Sequence, residues 1–309
     1  MKIVITGASG FIGKNLLLRI PRQWKAVAVY NHHLGFQKFL KENNLHHISA
    51  VRCDLTDEKE TASLAKKIGS HFDACVYLAA NGNPAVSTKD PAFDMRCNAV
   101  ALVNFLRHLK FKRFIFFSSG AVYDGAKGLV SPKTGIFPKL PYAISKFASE
   151  QYVQFYKHTG RIGEYVIVRF FGAYGPYEPP RKVYTKLIET FHLENKNAFV
   201  VRGNGRNFID AMYVDDAVDG IFKMLKSRKK DITVNFCSGK PIAINDLVKL
   251  AANLFGKYSI RVSHEGQVPE YNRFYASPQE MQNIFGFKPQ ISLKDGLMRF
   301  AVFLKSPRK

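Results

Sequence analysis

Tyr142 and Lys146 stand four residues apart in Pro141-Tyr-Ala-Ile-Ser-Lys146, and two adjacent serines, Ser118 and Ser119, precede them by roughly twenty residues. On a helix, side chains four apart share one face, one turn above each other. Tyrosine titrates near ~10 and lysine near ~10.4, so neither moves protons readily at neutral pH. An ammonium fixed beside the phenol favours the phenolate and lowers its pKa toward the working range. A serine hydroxyl delivered from a strand end would hold the substrate oxygen that gains or loses the proton. That set interconverts an alcohol and a ketone, provided a hydride carrier is at hand. Tyr-x-x-x-Lys also arises on any surface helix with a buried Tyr and a solvated Lys. The elements around it must decide.

The N-terminus names the carrier class. Lys2-Ile-Val-Ile-Thr6 is a short apolar run that ends in Gly7-Ala-Ser-Gly10-Phe-Ile-Gly13 and continues into the helix-like Lys14-Asn-Leu-Leu-Leu-Arg-Ile20. Strand, glycine turn and helix in that order make a phosphate-binding loop. Gly7 allows the tight turn, Gly10 lets backbone approach a diphosphate, and Gly13 lets helix and strand pack closely. The start of the helix offers free N–H groups to the phosphates. After the second apolar run, Ala26–Tyr30, a dinucleotide fold usually carries an acid for the adenosine ribose. Here Asn31 stands there, followed by His32 and His33. An acid would repel a 2′-phosphate and Asn tolerates one, so the reading tilts to NADP(H), with NAD(H) the alternative.

The remaining elements place these groups. Ile48–Leu55 reads as a third strand whose end, at Asp54 and Leu55, meets the adenine edge. Ala74–Ala80 is a fourth, closing on Leu78, Ala79 and Ala80 where backbone passes a cofactor, and a long amphipathic helix follows from about Pro91 to Lys110. Arg113–Phe117 is almost wholly apolar, as a parallel strand covered on both faces should be. It delivers Ser118, Ser119, Gly120 and Ala121 at its carboxyl end, where open α/β sheets bind ligands. Tyr165–Phe171 is a sixth strand. The alternation predicts an α/β fold, a Rossmann-type doubly wound parallel sheet. Residues 1–171 are expected to form the dinucleotide-binding domain, with 208–237 returning to it. Residues 172–207 and 238–309 are expected to form a smaller C-terminal substrate-binding cap.

Composition bounds the rest. The 309 residues are 46% hydrophobic and 23% charged, an ordinary globular balance. No apolar run approaches the roughly 18–20 residues of a membrane span. The N-terminus lacks the pattern of a signal peptide. Cys53, Cys75, Cys97 and Cys237 show no metal-binding spacing and read as reduced thiols of a cytoplasmic protein, so no metal is expected. Forty-six Lys and Arg against twenty-four acids give a net charge of +22. The cations are scattered, without a long basic arm or stacking aromatics. A direct nucleic-acid function is therefore not expected, and a basic surface suited to an anionic substrate is.

Together TGASGFIG at 6–13, CDL at 53–55, YLAA at 77–80, Asn98, SSGAVYD at 118–124, YAISK at 142–146, RFFGAYGP at 169–176 and YVDDAVDGI at 213–221 resemble the extended short-chain dehydrogenase/reductase superfamily, from Met1 to about Phe303. That superfamily holds nucleotide-sugar epimerases, dehydratases and reductases. The resemblance implies that Tyr142 exchanges the proton, that Lys146 supports it and binds the nicotinamide ribose, and that Ser119, with Ser118 beside it, bonds the reacting hydroxyl. It implies cofactor contacts at Gly7, Gly10, Phe11, Ile12, Gly13, Asn31, His32, Asp54, Leu55, Leu78–Ala80, Asn98, Ser118 and Phe170. Substrate contacts are implied at Ser119, Gly120, Tyr142, Gly172, Arg181 and Arg206, and family members often pair as homodimers.

Departures from the pattern narrow the chemistry. Family dehydratases place an Asp-Glu pair where Gly120 and Ala121 stand, which disfavours a 4,6-dehydratase. The family asparagine that touches substrate phosphate is replaced by Gly172, for which Arg181 would compensate. Hydride transfer at a ring carbon of a nucleotide-activated sugar, C4, is the expected reaction. Asn31 tilts this toward a 4-keto-sugar reductase, with a UDP-glucose 4-epimerase-like enzyme as the alternative. A non-catalytic nucleotide- or RNA-binding relative is the remote third.

Overall fold

The computed structural model describes residues 1–31, 35–266 and 273–306. Seven strands form one parallel sheet: β1 (Lys2–Thr6), β2 (Lys25–Tyr30), β3 (Ile48–Arg52), β4 (His71–Tyr77), β5 (Lys110–Ser119), β6 (Ile162–Phe170) and β7 (Ile232–Phe236). Their spatial order is β7-β6-β5-β4-β1-β2-β3. The order reverses between β1 and β4, so crossovers run outward on both sides and leave a crevice at the carboxyl ends of those two strands. This is the Rossmann-type α/β architecture.

Alternate residues of each strand feed two cores, because a sheet covered by helices on both faces must be apolar on both. Ile3, Ile5, Val76, Ile115, Val168 and Phe236 face the helices Phe11–Leu17 and Val214–Lys226. Val4, Val29, Tyr77, Phe114, Phe116 and Ile167 face the helices Glu58–Ile68, Ala101–His108 and Pro141–His158. A third core joins Tyr174, Tyr184, Leu187, Phe191, Val201, Leu247 and Phe300 from segments after Gly172. The stretch 214–236 supplies both a helix and the edge strand β7 to the sheet, with Val234 paired to Val168.

Two elements differ from expectation. The helix expected over 91–110 loosens into a π-helical turn at Arg96–Val100 and stops at His108. Leu109 turns extended there, so β5 starts at Lys110 rather than Arg113. The Pro-rich stretch before Pro141 also contains a strand, Lys127–Val130, which pairs in parallel with Arg273–Ala276. His32 lies outside the described residues. The four cysteines are free thiols, three of them buried. Among the described residues no helix is long and apolar enough to cross a membrane.

Candidate active site

At the end of β1, Gly7 takes φ +60°, and a Cβ there would sit 2.8 Å from the Ala79 nitrogen. A Cβ on Gly13 would come within 2.5 Å of the Gly7 carbonyl. The loop therefore accepts only glycine at both positions. Thr6 Oγ1 accepts from the N–H groups of Leu78 and Ala79, both at 3.1 Å, which pins the exit of β4 against the loop. The first intrahelical bond runs from Lys14 N–H to the Gly10 carbonyl, so the amides of Phe11, Ile12 and Gly13 face the opening.

Two clefts meet at this loop and share Gly7, Gly10, Leu78 and Ala80. One, of about 510 Å³, lies over β2 and β3 and is lined by Asn31, Asp54, Leu55, Thr56 and Ala79, among others. The Asn31 Oδ1 is buried there without a hydrogen-bond partner among the described residues. The other, of about 470 Å³, runs past Ser118, Ser119, Tyr142, Lys146 and Phe170 to Gly172, Arg181 and Phe274. The glycine cradle, the small residues at 78–80 and the unpartnered Asn31 oxygen fit a dinucleotide laid across both.

Tyr142 lies in the first turn of a helix opened by Pro141, whose missing N–H costs nothing at that position. Ser119 ends β5, and its side chain hydrogen-bonds the Tyr142 phenol. The phenol is pushed up by burial and by the Asp94 carboxylate, and the Ser119 hydrogen bond only partly opposes this. The sequence predicts a phenol lowered by Lys146; the structure gives the opposite direction. Lys146 instead packs its ammonium over the Phe116 ring, 4.5 Å from the centroid, and burial pulls it down to about 8. Glu150 and Asp94 push it back up.

Those two carboxylates stand behind the site and the sequence reading missed both. Glu150 accepts from Arg169 Nη2 at 2.8 Å, from Arg169 Nε at 3.1 Å and from Ser118 Oγ at 2.5 Å. Ser118 thus points down to Glu150 while Ser119 points to the phenol. Asp94 is 1% exposed and accepts from Ser87, Asn81, Asn98 and Ser145. Asn98 lines neither cleft; its amide also bonds Ser145 and its oxygen takes the Asn81 N–H. It holds the π-helical turn against the Tyr142 helix.

Gly120 has little space for a side chain, since a Cβ would lie 3.1 Å from the Phe171 ring. Gly172 takes φ +134°, which an asparagine could adopt only under strain. Arg181 and Lys182 line the cleft. Arg206 is exposed and belongs to neither lining. Asp210 was not legible from spacing: it lines the cleft and its Oδ1 accepts from Ser238 and Gly239 N–H groups.

A family model described as "NAD dependent epimerase/dehydratase family" matches residues 3–237. A Bacillus subtilis (strain 168) protein named as an uncharacterized UDP-glucose epimerase, YtcB, is 28% identical over 99% of this chain and 98% of its own. A UDP-glucuronate 4-epimerase of Thermodesulfobacterium geofontis is 23% identical over 96% of this chain and 94% of its own. The crystal structure of a Bacillus cereus UDP-glucuronic acid 4-epimerase, in complex with UDP-glucuronic acid and NAD, superposes with a TM-score of 0.86. It is 26% identical, and 99% of each chain is covered.

Proposed function

The chain belongs to the NAD-dependent epimerase/dehydratase family, and from that premise we propose that it is a nucleotide-sugar 4-epimerase that inverts C4 of a UDP-hexose with a retained NAD. The observation that carries this is the junction of the two clefts, where Ser119, Tyr142 and Lys146 stand beside the glycine cradle. Whole-length relatives named as a UDP-glucose epimerase and a UDP-glucuronate 4-epimerase support it over the keto-sugar reductase that Asn31 suggested. So does the unpartnered Asn31 oxygen, an acceptor suited to a ribose hydroxyl and unsuited to a 2′-phosphate.

The glycine loop and the linings of the two clefts would hold NAD, which would supply the acceptor for the C4 hydride and its return to the other face of the ring. Tyr142 takes the proton of the 4-hydroxyl as hydride leaves, and gives it back as hydride returns. The Ser119 hydroxyl holds that oxygen on both passes and opposes the upward push of burial on the phenol, while the Lys146 ammonium would hold the nicotinamide ribose. Gly120 and Ala121 offer no acid or base for loss of water. Arg181 and Lys182 supply positive charge for a diphosphate.

Protein incubated as purified with UDP-glucose, and no added cofactor, is expected to form UDP-galactose, with NAD identified by mass spectrometry after denaturation. Turnover that needs stoichiometric NADPH and a 4-keto sugar would instead establish a reductase. We further read the exposed Ile144, Tyr152 and Phe155, on one helix, as the face through which two copies pair. Sedimentation equilibrium of Phe155→Glu should then give monomer where the parent gives dimer.

A further inference from the structure

The proposed reaction leaves the net charge of +22 without a use. In an all-parallel sheet every strand starts on one edge, opposite the edge that holds the ligand clefts. The chain enters those strands through basic residues again and again. Lys25 opens β2, Lys66-Lys67 end the helix before β4, Lys110 opens β5, and Arg228-Lys229-Lys230 lead into β7. All are exposed and none has a carboxylate partner among the described residues. A groove of about 400 Å³ on this edge is lined by Lys2, Lys110, Lys112 and Arg161, with Asp73 as its one acid.

Acids on this side are already matched. Asp73 pairs with Lys112 at 2.8 Å, Asp231 with Lys157 at 3.2 Å, Glu42 with Lys38 at 3.4 Å, and Glu164 with Arg113. On the opposite edge, the exit of β3 carries Asp54, Asp57, Glu58 and Glu60. Cations without a carboxylate partner among the described residues therefore gather where the strands start, while at the other edge Glu58 is paired with Arg107 and the cations Arg181 and Lys182 line the cleft. Offsetting a helix dipole accounts for Lys66 and Lys67, but Lys25, Lys110 and residues 228–230 lie outside helices.

We propose that this basic edge docks the protein on an anionic phospholipid surface, with the cleft facing solvent. Seven strands span about 29 Å, and helices on both faces thicken the edge into a plate, the shape of a flat counter-surface. Nucleic acid is the weaker fit. Among the described residues the exposed rings of Phe93, Phe137, Tyr258 and Tyr275 lie outside the segments entering the strands, and Phe155, in the last turn before β6, belongs to the face read above as the pairing surface, which leaves few rings for bases to stack on. With charge as the only attraction, docking is peripheral and reversed by salt.

The test is cosedimentation with vesicles of phosphatidylcholine alone or mixed with phosphatidylglycerol. The protein should bind only the mixed vesicles at low salt and be released as salt rises. Each lysine near an anionic leaflet strengthens partition roughly five-fold. The triple variant Lys110→Glu, Lys229→Glu, Lys230→Glu should therefore bind at least about 100-fold more weakly, with its bound nucleotide and circular dichroism unchanged. A control with the same net charge, Lys249→Glu, Lys294→Glu, Lys305→Glu, should keep binding within a few-fold. Equal loss in both variants, or no binding of mixed vesicles by the parent, would overturn the proposal. So would duplex RNA that displaces the vesicles through the same three lysines.

Discussion

Lys146 is 2% exposed and makes no ion pair among the described residues, so burial favours its neutral form and its pKa falls to about 8. A lysine that must stay charged will then lose its effect as pH rises through that region. Glu150, one turn further along the helix, pushes the value upward. Glu150→Gln removes that push, so the alkaline limb of the kcat profile should move to lower pH. An unmoved limb in a variant that still folds would refute the coupling. The grouping of Ser119, Tyr142 and Lys146 was legible because a strand end and one helical turn fix it locally. Strand alternation sends the two serines to opposite faces, and the choice of Ser119 over Ser118 rests on the family resemblance. Glu150, Asp94 and Asp210 were not legible. Their donors come from other segments: Arg169 lies 19 positions from Glu150, and Ser145 lies 51 from Asp94.

At the scale of elements, the glycine loop and the segment before the helix Val183–Ile188 make separable predictions. Gly13→Ala drives a methyl into the Gly7 and Ala8 carbonyls, at 2.5 and 2.6 Å. It should cost roughly 1–3 kcal/mol and release the bound nucleotide, read by urea unfolding and by mass spectrometry. Glu178 is buried, holds Thr185 N and Oγ1 at 3.0 and 2.7 Å, and is pushed up to about 7 by burial. The folded state then binds a proton more tightly than the unfolded one, so stability falls as pH rises from the ordinary carboxylate range to about 7. Glu178→Gln should raise the melting temperature at pH ~8 and not at pH ~4. An equal change at both would show that the charge is not the cause. Sheet strands could be read from sequence because each is a short apolar run between turn signals. The pairing of Lys127–Val130 with Arg273–Ala276 could not, since four-residue strands far apart carry no period that marks a partner.

For the whole molecule, a charge of +22 works against compactness through self-repulsion. Salt should screen it, so the melting temperature should rise between about 0.01 M and 0.3 M sodium chloride, where the Debye length shrinks from about 30 Å to well under 10 Å. A fall over that range would mean that the ion pairs outweigh the repulsion. Order along the chain has its own consequence. Strand β6 ends at Phe170, yet β7, which covers its outer edge, begins at Ile232. A ribosome adding roughly 5–20 residues per second needs about 3–12 s to make the sixty-one positions between Phe170 and Ile232. Through that interval the nascent sheet presents a bare, apolar strand to every other chain being made nearby. The last strand to be translated into the sheet is thus the one that covers β6, and a stall between the two would leave that strand open to other chains.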